Sequence, residues 1–98
     1  MGKHLNHEAR RSSRRRRALK RKYGITSADY EALLSAQGGV CAICGLPPKQ
    51  NKRLHVDHDH STAQVRGLLC HNCNLILGLA HDSEAVLLRA TLYLEENA

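Results

Sequence analysis

A small α+β domain is predicted, on three observations. Two Cys-x2-Cys pairs, Cys41/Cys44 and Cys70/Cys73, bracket the middle of the chain. Two short apolar runs with strand character, Leu54-His55-Val56 and Val65-Arg66-Gly67-Leu68-Leu69, lie between the pairs. Stretches with helical spacing flank them on both sides.

At 98 residues the chain holds one domain at most, plus arms. It has no Phe, no Trp and only three Tyr, and its 42% hydrophobic content is inflated by Ala and Cys. So small a core is marginal alone, and a structural metal is the usual remedy. Four thiolates at this spacing make a closed tetrahedral zinc site, because each two-residue spacer lets one knuckle supply two ligands. All four cysteines are used, none is left over, and four sulfur ligands leave no position for water, so the zinc is a scaffold. A disulfide reading needs an exported protein. The basic N-terminus is followed by no apolar h-region, and no run of 18 apolar residues exists, so neither a signal peptide nor a membrane span is expected. A reducing, cytoplasmic location is expected.

The net charge of +6 is unevenly placed. Residues 1–22 carry ten Lys/Arg against Glu8, a charge of +9, whereas the remainder, with five basic and eight acidic residues, is −3. A concentrated basic arm suits a polyanion, since each phosphate contacted releases condensed counterions. A solvated tail or a targeting signal is the plainer alternative. Arg14, Arg15, Arg16, Arg17, Lys20, Arg21 and Lys22 are the candidate DNA-gripping residues, with Arg66 as a further phosphate contact. The expected division is an arm over 1–22, partly disordered or helical, and a domain over 23–98.

Residues 1–11 read as disordered. A helix is expected from Ser12 or Ser13 to Lys22, stopped by Gly24. Thr26 and Asp29 form a capping-box pattern with Ile25 and Tyr30 as its staple. Tyr30, Leu33 and Leu34 then share a face that packs on the zinc module, and Gly38-Gly39 ends this helix. Gly45-Leu46-Pro47-Pro48 is a turn. Asp57 to Ala63 reads as a polar loop, and Gly67 in the return strand suggests a bulge or a close backbone approach. A helix over Asn72–Leu79 should turn Leu75, Ile76 and Leu79 inward. Asp82 or Ser83 caps a last helix, about 83–96, with Leu87, Leu88, Thr91 and Leu92 on one side, a face expected to pack on its own module.

The remaining signal is Asp57-His58-Asp59-His60. On a strand, Asp57 and Asp59 would face one way and the two histidines the other. Alone, such a run is more often a polar loop. A hard cation such as Mg²⁺ wants oxygen ligands and keeps several waters, so one carboxylate and one amide suffice. Asp57 can supply the first, and Asn74, next to Cys73, the second. A neutral imidazole is a suitable base for water.

Taken together, Cys-x2-Cys, then Val-Asp-His-Asp-His, then Val-Arg-Gly-Leu-Leu-Cys-x2-Cys-Asn resembles the recombination endonuclease VII family of phage enzymes, within the HNH or ββα-metal nucleases. The match covers about residues 23–78. The resemblance implies a zinc-stabilised ββα-metal core, a hairpin plus helix holding one Mg²⁺ or Mn²⁺, with flanking N- and C-terminal helices. It implies Asp57 and Asn74 as ligands of the catalytic metal, His58 as general base and His60 as a further catalytic histidine near the scissile phosphate. His55 and His71 are assigned loop or supporting roles. The implied activity is an HNH DNA endonuclease, nicking or cutting both strands with low sequence specificity, leaving 5′-phosphate and 3′-hydroxyl ends. Junction-resolving members are longer and pair two subunits through extra helices; here only 20 residues follow Gly78, so a monomer is expected. The alternatives are a dimeric resolvase of branched DNA, a non-catalytic zinc module that binds nucleic acid and, more weakly, an RNase.

Overall fold

The computed structural model describes residues 7–98. Its elements follow in the order α1 (His7–Tyr23), α2 (Ser27–Ala36), β1 (His55–His58), β2 (Val65–Leu69), α3 (His71–Leu79) and α4 (Glu84–Glu96). The expected α+β class holds: among the described residues there are four helices and one antiparallel two-stranded sheet.

Helix α1 reaches back to His7, five residues before the expected onset at Ser12. The stretch His7-Glu8-Ala9-Arg10-Arg11 contains neither Gly nor Pro, so nothing in it resists extension of a helix already formed. Residues 1–6, also read as disordered, lie outside the described residues. Gly24 ends the helix in the left-handed region, φ 70°, donating its N–H to the Lys20 carbonyl at 3.0 Å. Leu19 is the anchor of α1, buried in the core, while Arg14–Arg17 and Lys20–Lys22 are exposed.

The capping box of α2 is present in full. Thr26 Oγ1 accepts from the Asp29 N–H at 3.0 Å, and Asp29 Oδ2 accepts from the Thr26 N–H at 2.9 Å. That start aims Tyr30 into the core, where its hydroxyl donates to the Leu54 carbonyl at 2.6 Å. Leu33 and Leu34 pack beside it, as expected.

Strand β1 runs through Asp57 and His58, two residues past the expected Val56 end. It does so because β2 supplies partners: His55 pairs with Leu69, Val56 with Leu68 and Asp57 with Gly67, but His58 pairs with Val65. The register therefore skips Arg66, which is the extra residue of a β-bulge beside Gly67. The outer edge of β2 is closed at Leu68 by the Gln37 side chain and by the Ala42 N–H, which donates to the Leu68 carbonyl at 3.2 Å. Gln37 Oε1 accepts from the Leu68 N–H at 2.9 Å, and Gln37 Nε2 donates to the Leu68 and Val40 carbonyls at 3.0 and 2.9 Å. Leu68 is fully buried, so an unpaired N–H there is costly. Gln37→Ala should lower stability by about 1–3 kcal/mol, read as a shifted denaturant midpoint with an unchanged m-value.

The core is small: Leu19, Tyr30, Cys41, Leu54, Val56, Leu68, Leu69 and Cys73. Two expectations about the last helices fail. Leu75, Ile76 and Leu79 point outward, 47%, 51% and 72% exposed. The inward face of α3 is Cys73 and Leu77 instead, because the thiols of Cys70 and Cys73 set the rotation of the helix and Leu77 lies one turn beyond Cys73. The C-terminal helix α4, capped by Ser83 whose Oγ accepts from the Val86 N–H, buries no residue, so its apolar side does not pack on this module. Among the described residues no helix is long and apolar enough to cross a membrane.

Candidate metal centre and active site

The cysteine knuckles converge. One ligand atom from each of Cys41, Cys44, Cys70 and Cys73 lies within 4.8 Å of every other, and the Cys44 and Cys70 sulfurs are 3.9 Å apart. Tetrahedral thiolates on zinc lie about 3.8 Å from one another, given Zn–S bonds of about 2.3 Å. The four sulfurs are thus close enough together to hold a zinc ion. In the first knuckle the Ile43 N–H donates to the Cys41 sulfur at 3.4 Å, and Gly45 turns the chain back at φ 71°. In the second, Cys70 is the N-cap of α3, its sulfur accepting from the Cys73 N–H at 3.4 Å. Burial opposes a charge on Cys41, but N–H groups of Cys70, Cys44 and Ile43 bring its thiol down to about 6. Burial and the neighbouring thiols push Cys73 up to about 12. A bound metal deprotonates its thiol ligands whatever their differences without it.

Beside the zinc knuckles, a cleft of about 270 Å³ opens between the hairpin and α3. Asp57, His60, His71, Asn74 and Asp82 supply its polar lining. Strand β1 delivers Asp57 from the side and α3 delivers Asn74 from below, one residue past the cysteine that locks the helix. Asp57 is buried, and both its oxygens accept from Arg66: Nε donates to Oδ2 at 2.8 Å and Nη2 to Oδ1 at 3.1 Å. Arg66 is the unpaired residue of the bulge, beside Gly67, the partner of Asp57. A positive group thus already occupies the Asp57 carboxylate. Among the described residues the Asn74 side-chain amide takes part in no hydrogen bond, so its oxygen remains available as a ligand. A hard divalent ion suits this donor pair.

The Asp-His-Asp-His run divides differently from strict alternation, because the strand ends at His58. Asp59 folds back as a turn former, accepting from the Ser61 and Thr62 N–H groups at 2.7 and 3.1 Å, and these bonds lower its pKa. His60 lines the cleft together with Asp57. His58 is not part of the lining; its half-buried ring lies 4.9 Å from that of His60 and 5.7 Å from that of Tyr23. His55 and His71 sit with ring centres 5.8 Å apart, and only His71 reaches the cleft.

One residue of the cleft is absent from the sequence reading in this role. Asp82, read there only as a possible helix cap, accepts at Oδ2 from His60 Nδ1 at 3.0 Å and from Arg66 Nη2 at 3.4 Å on each oxygen. The His60 hydrogen bond, then the Arg66 bond, lower its pKa. No spacing rule could have found it, since it belongs to the joint between α3 and α4. Arg66, expected on phosphate, is shared here between two carboxylates.

A family model described as recombination endonuclease VII matches residues 16–96. The chain belongs to that family. Two curated relatives are similar to it, both described as Gene 59 protein. That of Mycobacterium phage D29 is 52% identical over 75 residues, covering 76% of this chain and 46% of the relative. That of Mycobacterium phage L5 is 49% identical over 73 residues, covering 74% of this chain and 44% of the relative. The matched region therefore spans less than half the length of either relative. No solved structure matches it.

Proposed function

We propose that this endonuclease VII family chain is a divalent-metal-dependent DNA endonuclease with a ββα-metal core formed by β1, β2 and α3. The observation that carries the reading is the cleft where Asp57, Asn74 and His60 meet, with His58 against His60. Asp57 and Asn74 would hold Mg²⁺ or Mn²⁺, which would supply charge neutralisation at a phosphate oxygen and at the departing oxygen. His58 accepts a proton from a water molecule as the water oxygen bonds to phosphorus. The phosphorus–O3′ bond breaks, leaving a 3′-hydroxyl after protonation from solvent and a 5′-phosphate. His60 stands at the phosphate, oriented through Nδ1 by Asp82.

The substrate's polyanionic character is supported by α1, whose exposed Arg14–Arg17, Lys20, Arg21 and Lys22 are joined to the domain through Leu19. Arg15 also lines a groove of about 880 Å³, together with Lys49, Lys52 and Arg53. Such groups grip backbone without reading sequence.

Supercoiled plasmid incubated with the zinc-loaded chain tests the reading. Nicked or linear product is expected with Mg²⁺ or Mn²⁺ and none when EDTA is added briefly enough to spare the zinc. An intact plasmid that is nonetheless retarded in a gel would favour a non-catalytic binding module. A second reading, paired cuts in branched DNA by a dimer, is favoured by the exposed Leu88, Leu92, Tyr93 and Leu94 of α4. A sizing column with a four-way-junction substrate separates it from the monomeric nuclease.

A further inference from the structure

We propose that Arg66 is a displaceable counter-ion in the cation position of Asp57, and that Asp82 is the positioning residue that receives it. The inference rests on the reading of Asp57 as a metal ligand. The two attachments of the guanidinium are unequal. On Asp57 it makes a bidentate pair at 2.8 and 3.1 Å, whereas Nη2 alone reaches Asp82, at 3.4 Å to each oxygen. Bidentate guanidinium–carboxylate pairs are the strong form of this interaction, so the metal-free chain favours Asp57. A divalent ion at Asp57 would repel a guanidinium on the same carboxylate, and the cost of moving that group depends on whether another anion is in reach. Asp82 is already bonded to it.

The backbone of Asp82 supports a selected position. His81 and Asp82 both adopt left-handed conformations, φ 54° and 56°, which side-chain-bearing residues take at a cost. Their N–H groups close the end of α3, His81 on the Gly78 carbonyl at 3.0 Å and Asp82 on the Leu77 carbonyl at 2.9 Å. This joint places the Asp82 carboxylate, only 24% exposed, in the cleft lining instead of out in solvent. A third bond, from His60, holds the acceptor in place.

The test is Mn²⁺ affinity of the full, zinc-loaded chain, measured by the free-ion paramagnetic resonance signal. Asp57→Asn defines the background. Arg66→Gln should bind Mn²⁺ about tenfold more tightly than the parent, the scale of one lost charge-assisted pair. Asp82→Asn should bind about tenfold more weakly. The double variant should behave as Arg66→Gln, because Asp82 acts through Arg66. Arg66→Lys, which keeps the charge without the fork, should fall between parent and Arg66→Gln, and it serves if Arg66→Gln does not fold. Zinc content and thermal midpoint establish which variants are folded. Unchanged or weakened Mn²⁺ binding on loss of the Arg66 fork makes Arg66 a structural clamp and overturns the inference. So does an Asp82→Asn variant that binds like the parent. If the parent shows no Asp57-dependent Mn²⁺ binding at all, the metal site fails and the inference falls with it.

Discussion

Cys73→Ser should leave the chain unable to hold zinc and without a cooperative unfolding transition. Two of the eight core residues are themselves cysteines, Cys41 and Cys73. Leucine, valine and one tyrosine complete that core. Structural zinc in small modules is worth about 10–16 kcal/mol of apparent binding energy, while whole domains are stable by only about 5–15 kcal/mol. Losing the metal therefore exceeds what the rest of the core can supply. The rotation of α3 is also tied to its two thiols, so Asn74 and Leu77 lose their positions with the zinc. The check is zinc content, expected at one per chain, together with the far-ultraviolet dichroism melt of parent and variant. Prolonged chelation of the parent should reproduce the variant, and acid should do so too, since proton binding to the thiolates competes with the metal. A zinc-free chain that melts as sharply as the parent would rule out the scaffold role.

His58→Ala should reduce DNA cleavage by about 10²–10⁴-fold, the range for loss of a general base, with retention of zinc and of DNA binding. His58 is half-buried at the end of β1, and among the described residues its side chain takes part in ring contacts with Tyr23 and His60 but in no hydrogen bond, so its removal should cost little stability. The comparison is single-turnover nicking of plasmid by parent and variant at saturating Mn²⁺, beside a gel-shift titration without metal. Parent-like cleavage by the variant would remove His58 from the reaction and leave His60 as the candidate base.

Local signals carried far in this chain. The capping box at Thr26 and Asp29 set the start of α2 because both of its hydrogen bonds span three residues. The bulge beside Gly67 was readable because a glycine inside a strand marks that irregularity. Burial on α3 and α4 was not readable. Leu75, Ile76 and Leu79 have the periodicity of an inward face, yet the cysteines turn Leu77 inward instead, and periodicity cannot report the angle at which a covalent anchor holds a helix. His7–Arg11 was misjudged from its polarity, although it holds no residue that interrupts a helix already nucleated beyond it.

The amino-acid sequence by itself determined the four gathered thiols and the basic character of α1, because these depend on residue type and short spacing. Only the tertiary structure decided which groups share a cleft. The meeting of Asp57, Arg66, His60 and Asp82 depends on a bulge in one strand and a left-handed joint between two helices. Such contacts join residues far apart along the chain, and their distances follow from packing, which no local pattern encodes.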